Sequence, residues 1–345
     1  KWVFKLKLLE KPNRFKARLV VRGFLQEEMT VGETYAPTVS IGTNNVILVY
    51  ALFHGLQLHV IDIESAFLQA KLREPLVTKP PPGVKVPDGS LFKIVKSMYG
   101  LREAPHLFGE LLAKSLTELG LQRCNHDQCL WYKPKAKVGE QVLISTHVDD
   151  LLVAGPEGFA QLMVENLRKG IGNLTAKLSN LDGHAHLGRQ YEYSKLTGKI
   201  KIRMYKHIDE LTERYNPTKK TALNPVAHTV ELLPLNKSCA KEYPYRQVIG
   251  SLLFIAGLRP DIKYAVNRLA RFMNRSGKEH FKAALRVVQY LGRTRDCGLD
   301  IDVAKIMNME LTGESDSDWA GDPEERRSTQ GFVIKFGGVP IEARS

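Results

Sequence analysis

Val142-Leu143-Ile144-Ser145-Thr146-His147-Val148-Asp149-Asp150-Leu151-Leu152-Val153-Ala154-Gly155 sets two adjacent aspartates between two apolar runs. Short strand-forming runs on either side of a polar break read as a β-hairpin with both carboxylates at its tip. Two anions held against a low-dielectric floor repel each other, so such a pair keeps a proton or finds a cation. Hard divalent ions such as magnesium take oxygen ligands, with phosphates completing the shell. Taken alone, Asp149-Asp150 also reads as an ordinary turn. The metal reading asks for a third carboxylate. Asp62 is the candidate, because it ends a strand-like run over residues 58–63 and strand order sets it beside the hairpin. One carboxylate on a strand and two on a neighbouring hairpin are what a two-metal phosphoryl-transfer site needs.

Working outward, residues 1–40 are basic and strand-forming, with Lys16, Arg18 and Arg22 set beside a β-branched run. Residues 43–55 read as a helix ending at Gly55, and Lys79-Pro80-Pro81-Pro82-Gly83 as a connecting loop. Pro105 opens a helix with Leu107, Phe108, Leu111, Leu112, Leu116 and Leu119 at helical spacing, closed by Gly120. Strands over 129–132 and 141–155 and a helix over 159–168 complete an α+β pattern, a sheet with helices on one face. After Thr218 the pattern becomes helical. Residues 261–275 turn Ile262, Ala265, Val266, Leu269 and Phe272 inward, and residues 278–291 do the same with Phe281, Leu285 and Val288. Arg268 and Arg271 on the first helix, and Lys278, Lys282 and Arg286 on the second, form stripes suited to a nucleic-acid backbone. An ordinary solvated face explains either stripe equally well. From Met309 the chain turns strand-like again, over 311–315 and 331–336.

Composition sets the outer bounds. At 345 residues, two or three domains are expected. Fifty Lys plus Arg against 37 Asp plus Glu give a net charge of +13, spread along the chain, which points to a polyanionic partner. Four cysteines (Cys124, Cys129, Cys239, Cys297) are too sparse for a disulfide framework and fit a reducing compartment. Cys124, His126 and Cys129 lack zinc spacing. No apolar stretch reaches the roughly 20 residues of a bilayer span. Both ends read as cut from something longer, with no initiating Met.

Beyond these readings, the sequence resembles reverse transcriptases of copia-type long-terminal-repeat retrotransposons along nearly its whole length. The likeness rests on Lys1-Trp2-Val3-Phe4-Lys5, Lys16-Ala17-Arg18-Leu19-Val20-Val21-Arg22-Gly23-Phe24, Tyr35-Ala36-Pro37 and Val60-Ile61-Asp62-Ile63-Glu64-Ser65-Ala66-Phe67-Leu68. It continues through Lys96-Ser97-Met98-Tyr99-Gly100-Leu101-Arg102-Glu103-Ala104-Pro105, His147-Val148-Asp149-Asp150, Tyr245-Arg246-Gln247-Val248-Ile249-Gly250 and Arg259-Pro260-Asp261-Ile262. The resemblance implies a right-hand polymerase: fingers over 1–57, a palm with a ferredoxin-like sheet over 58–200, and a helical thumb and connection over 201–308. An incomplete ribonuclease H-like α/β segment over 309–345 would follow, with Asp316 as its first metal ligand.

For the site, the resemblance implies that Asp62, Asp149 and Asp150 hold two Mg²⁺ ions, with Mn²⁺ as an alternative and the Ile63 carbonyl assisting. Phe67 would be the gate against a 2′-hydroxyl. Lys16, Arg18 and Arg22 would face triphosphate or template, Glu103 the incoming nucleotide, and Val148 the primer terminus. The implied partners are an RNA template, a DNA primer, deoxynucleoside triphosphates and the protease and integrase of a parent polyprotein, with no membrane. The implied location is the cytoplasm, within a virus-like particle, or the nucleus.

Three positions depart from the family pattern. His147 replaces the usual Tyr, Glu103 the usual Gln and Ser40 an Arg that often follows the Ala-Pro segment. An ionised Glu only accepts hydrogen bonds and repels a triphosphate. The expectation is a decayed or fragmentary copy with a surviving fold and weak or absent polymerase activity, against the rival of a catalytically inactive, basic RNA- or DNA-binding remnant.

Overall fold

The computed structural model describes residues 1–7, 14–26, 32–170, 175–226, 232, 235, 242–321 and 326–345. The chain divides into two compact units, Lys1–Ser40 with Leu56–Ser179 and Ile41–Gly55 with Asn180–Ser345. Cys239 and Asp322 lie outside the described residues, as does part of the connection 216–234.

The first unit opens with a hairpin, β1 (Trp2–Lys7) and β2 (Arg14–Leu19), in which Trp2 faces Leu19, Val3 faces Arg18 and Lys5 faces Lys16. Because side chains alternate along a strand, Trp2, Phe4, Phe15 and Leu19 share one face and Lys5, Lys16 and Arg18 the other. Helix α1 (Ile41–Phe53) follows in the chain and belongs to the second unit. Then come β3 (Gln57–Ile63), a second hairpin β4 (Lys71–Thr78) and β5 (Phe92–Lys96), and α2 (Ala104–Glu118). Pro105 sits in the first turn of α2, where its missing N–H costs nothing. The unit is completed by β6 (Gln122–Arg123), β7 (Leu130–Tyr132), β8 (Leu143–His147), β9 (Asp150–Gly155), α3 (Phe159–Gly170) and β10 (Ala176–Asn180).

Its main sheet runs β10-β3-β9-β8-β7-β6. The central strands β3 and β9 are buried along nearly all their length, which is why 151–155 reads as a continuous apolar run and 58–63 as a largely apolar one broken by His59 and Asp62. Ile61, Ile63, Leu151 and Val153 on one face pack with Phe108, Leu112 and Leu116 of α2 and Met163 and Leu167 of α3. Each such side chain contributes about 1.5–3 kcal/mol by leaving water. That packing gives the carboxylate-bearing strand ends a rigid floor.

The second unit contains β11 (Ala185–His186), β12 (Arg189–Ser194), β13 (Lys199–Arg203), α4 (Tyr205–Tyr215), α5 (Tyr245–Ala256), α6 (Lys263–Ala270) and α7 (Lys278–Arg293). It ends with β14 (Leu299–Asp302), β15 (Leu311–Ser317), β16 (Gln330–Phe336) and β17 (Val339–Arg344). Residues 201–308, expected to be helical, therefore start and finish in strands: β11-β12-β13-β14 form one sheet, with Ile200 opposite Ile301. The expected helix over 261–275 stops at Ala270, although all five of its inward residues are buried. In α7 the buried face is Ala284, Val287, Val288 and Leu291, so Phe281 and Leu285 are only partly covered. The strands β15-β16-β17 form a separate antiparallel sheet, and α1 packs on β17, where Asn45 Nδ2 donates to the Pro340 carbonyl at 3.2 Å. Among the described residues, no helix is long and apolar enough to cross a membrane.

Candidate active site

Strand register brings the three carboxylates together. Asp62 is the Cα partner of Asp150 in the β3–β9 ladder, and His147 pairs with Asp150 across the hairpin β8–β9. The hairpin turn is only Val148-Asp149, and Val148 holds φ +57°. A β-branched residue there stores strain of about 1–3 kcal/mol, persisting only where surrounding structure enforces it. The enforcing contact is visible: the Ile63 N–H donates to the Asp149 carbonyl at 2.9 Å, tying the hairpin tip to the end of β3.

The electrostatics follow from that closeness. Burial pushes the Asp150 carboxyl up to about 6, and the charges of Asp149 and Asp62 push the same way. Asp149 is also raised, first by burial, with Asp62 adding to it and its backbone hydrogen bond, His147 and Arg18 opposing. Among the described residues, no Lys or Arg forms an ion pair with any of the three. The donor set is all oxygen and its negative charge is only partly offset, at Asp149 by His147 and Arg18, which suits a divalent cation. As the side chains stand, no three His, Cys, Asp or Glu among the described residues enclose a metal position, either here or around Asp316.

Around the carboxylates, the Arg18 guanidinium lies over the Tyr99 ring at 5.3 Å, and Tyr99 meets Phe67 edge-on at 5.2 Å. Phe67 also packs edge-on against Phe108, 6.4 Å away. The Tyr99 hydroxyl is pushed up by burial, and Asp149 and Asp62 act on it in the same direction. Tyr99 was legible only as part of a family motif; backbone pairing ties it to the chain just beyond β2. The Val21 N–H donates to the Tyr99 carbonyl at 2.8 Å and the Gly23 N–H to that of Gly100 at 3.0 Å. A Cβ on Gly23 would meet the Gly100 oxygen at 2.1 Å, and one on Gly100, at φ +93°, the Val21 oxygen at the same distance. Only glycine permits so close a backbone approach.

The remaining predicted residues scatter. Lys16 shares Arg18's face of the hairpin, while Arg22 lies exposed beyond the end of β2. Glu103 is 7% exposed at the head of α2, with its carbonyl accepting from the Leu107 N–H at 3.0 Å. In the second unit, Arg268, Lys282 and Arg286 line one small cavity; Lys282 pairs with Glu279 at 2.8 Å and Arg286 donates to Asn224 at 2.6 Å. Arg271 and Lys278 are exposed outside that cavity. Asp316 is exposed on β15 and accepts from the Ser317 N–H at 2.9 Å.

A strand-borne carboxylate facing a two-carboxylate hairpin, under an Arg–aromatic cluster, has the form of a phosphoryl-transfer site. The model of the family "Reverse transcriptase (RNA-dependent DNA polymerase)" matches residues 1–228, and the chain belongs to that family, in its copia-type retrotransposon branch, and so to the nucleotidyltransferases. It is 31% identical over 337 residues to the retrovirus-related Pol polyprotein from transposon RE1 of Arabidopsis thaliana, covering 95% of this chain and 22% of the relative. The corresponding polyprotein from transposon TNT 1-94 of Nicotiana tabacum is 31% identical over 366 residues, covering 100% of this chain and 26% of its own length. The putative transposon Ty5-1 protein of Saccharomyces cerevisiae is 28% identical, covering 81% of this chain and 90% of that protein. The chain thus spans about a quarter of the length of the plant polyproteins it matches. Among solved structures, a foamy viral protease-reverse transcriptase in complex with double-stranded DNA aligns at 12% identity with a TM-score of 0.43, covering 83% of this chain and 42% of that one.

Proposed function

We propose that this chain is the RNA-directed DNA polymerase core of a copia-type element, extending a DNA primer on an RNA template with deoxynucleoside triphosphates. The observation that carries the reading is the register pair Asp62–Asp150 with Asp149 locked beside it, in a chain of the reverse transcriptase family. In right-hand terms, the six-stranded sheet is the palm, the hairpin β1–β2 and its neighbours the fingers, α4 to α7 the thumb and connection, and β15 to β17 the start of a ribonuclease H-like segment. Asp316 would be that segment's first ligand. The parent would be a polyprotein with protease and integrase, working in the cytoplasm within a virus-like particle or in the nucleus.

Asp62, Asp149 and Asp150, with the Ile63 carbonyl, would hold two Mg²⁺ or Mn²⁺ ions. When bound, such ions activate the primer hydroxyl and steady the leaving phosphates. The chain's own groups do the rest. Arg18, fixed over Tyr99, offers positive charge to the triphosphate, with Lys16 and Arg22 further along, so that charge developing on pyrophosphate is met by a prepositioned cation. Phe67, held between Tyr99 and Phe108, presents a ring edge that excludes a ribose 2′-hydroxyl. Val148 lies at the turn beneath the primer end. Arg268, Arg271, Lys278, Lys282 and Arg286 would follow the duplex backbone, with Lys282 and Arg286 giving up internal partners to do so.

The test is primer extension on an RNA template with Mg²⁺, comparing the chain with Asp149→Asn. Extension by the first alone, with duplex binding retained by both, supports the polymerase; duplex binding without extension by either supports the inactive binding remnant.

A further inference from the structure

We propose that Tyr99 is a positioning residue that couples the Arg18 cation to the Phe67 ring, so that the charge set for a triphosphate also sets how firmly the site rejects a 2′-hydroxyl. The inference rests on the polymerase reading above and gives Tyr99 no contact of its own with the nucleotide. The Arg18 guanidinium lies over the Tyr99 ring at 5.3 Å, and the Phe67 ring meets it edge-on at 5.2 Å and 70°. The Tyr99 carbonyl accepts the Val21 N–H at 2.8 Å. Arg18 lies in β2 and Val21 just beyond its end, so one stretch of chain holds Tyr99 by both its ring and its backbone.

The two aromatic walls of Phe67 are unlike. Phe108, 6.4 Å away and inclined at 82°, is fully buried in the core beneath the main sheet, where close packing leaves it no room to shift. Tyr99 is half-buried, and the Arg18 side chain over it is exposed. An influence that reaches Phe67 from the hairpin β1–β2 therefore passes through Tyr99. The ring quadrupole attracts a cation to its face, and an edge-to-face pair has a preferred inclination, so a guanidinium that fixes the ring also fixes the tilt on which the second contact depends. The Val21 hydrogen bond holds the main chain still, which leaves that tilt as the freedom Arg18 controls. Two rivals make different demands. If the ring merely fills space, Arg18 has no bearing on sugar choice. If the hydroxyl acts instead, the ring alone is not enough; burial raises that hydroxyl, Arg18 opposes, and Asp149 and Asp62 add to the rise.

The experiment is equilibrium binding of dGTP and of GTP, with Mg²⁺, to the whole chain on an RNA template whose primer ends in a dideoxynucleotide, so that the readout needs no turnover. The quantity read is the ratio of the two dissociation constants. Tyr99→Leu should narrow it about fivefold through the lost edge contact, and Tyr99→Phe, which keeps the ring, should leave it unchanged. Arg18→Gln should weaken dGTP binding and also narrow the ratio about threefold, although its charge is set for phosphates. In the Tyr99→Leu, Arg18→Gln chain the ratio should be that of Tyr99→Leu alone, the non-additivity of side chains that act as a unit. Arg18 is exposed, so its variant keeps the test decisive even if Tyr99→Leu lowers the melting temperature. Equal weakening of dGTP and GTP by Arg18→Gln overturns the coupling, as does narrowing by Tyr99→Phe or a ratio near one in the starting chain. An unchanged ratio in every variant of a chain that extends primers removes the role of Tyr99 and leaves the polymerase reading standing. The expected pattern in a chain that extends no primer keeps the coupling and removes the polymerase reading.

Discussion

Two clusters of charge among the described residues are built in opposite ways. In the second unit the Arg259 side chain, 2% exposed, donates Nε and Nη2 to Asp261 at 2.8 and 2.7 Å and Nη1 to the Thr294 carbonyl at 2.8 Å. The Tyr290 hydroxyl donates to the same Asp261 at 2.9 Å. Burial alone would raise the Asp261 carboxyl, but the Arg259 hydrogen bonds and charge outweigh it and hold the group below the usual range. At the strand ends of the first unit, Asp149 and Asp150 are also partly buried, yet they face one another and Asp62, and both are raised. Charge that serves the fold comes with its partner; charge left facing its own sign calls for a ligand from outside.

The comparison breaks most visibly if each charge is removed. Asp149→Asn should cut primer extension by at least about 10³-fold, the scale of losing a charge-stabilising group in a preorganised site, while leaving the melting temperature unchanged or higher. A loss of activity accompanied by a lowered melting temperature would mean that Asp149 serves the fold. Arg259→Met should do the reverse. Leaving Asp261 without its partner should cost about 3 kcal/mol in urea denaturation, the low end for a broken buried pair because Asp261 is partly open to solvent. A cost under about 1 kcal/mol would show that the network contributes no more than a surface pair.

How legible each region was follows from how local its signal is. Asp62, Asp149, Asp150 and Phe67 lie in short motifs whose strand or turn character can be read within a few residues, so the site core was visible before the fold. Arg259 and Asp261 were visible only as a family signature; their meaning depends on Tyr290 and Thr294, some thirty residues on. The sheet β11–β14 was missed for the same reason. Lys199-Ile200-Lys201-Ile202 alternates as a strand should, but its partner, Leu299 to Asp302, comes about a hundred residues later. Strand β17 was hidden by Pro340, which demotes a run in the sequence yet is tolerated here on an edge strand. In α7 the apolar residues span more than one face, so periodicity alone left the buried stripe misplaced by part of a turn.

A pH series should separate the two clusters by sign. For Asp150 the folded value, about 6, lies above that of an unfolded chain, so protonation favours the fold. That stability is fully present below an unfolded value of about 3.9 and is lost as pH rises through 6. Asp150→Asn should therefore stabilise the metal-free protein at pH 8 by about 1.5 kcal/mol, half the undiscounted value because solvent screens the group, and by almost nothing at pH 4. Asp261 runs the other way: its contribution is present above the unfolded value and disappears as pH falls through its lower folded one. At limiting Mg²⁺, extension should also decline as pH falls through this range, because a proton on Asp150 competes with the cation. Equal stabilisation by Asp150→Asn at pH 4 and pH 8 would remove the claim of incompletely offset charge.

The smallest expected effect lies at Glu103, where the two patterns meet. This carboxylate is nearly buried and forms no ion pair among the described residues, but it sits at the head of α2, where aligned backbone N–H groups favour negative charge. The fold therefore tolerates it, whereas in its proposed place beside the incoming nucleotide it would repel a triphosphate. Glu103→Gln removes the like charge and supplies a donor, so KM for deoxynucleotide should fall about fivefold, roughly 1 kcal/mol of relieved repulsion at a protein-like dielectric, with kcat nearly unchanged. His147→Tyr should add less. The His147 Nδ1 atom is buried without a hydrogen-bond partner among the described residues, and its substitution mainly alters packing under the hairpin. Steady-state kinetics on one primed RNA template would decide the matter. Equal, robust activity in the starting chain and the Glu103→Gln, His147→Tyr variant would show that neither departure from the family pattern impairs nucleotide handling.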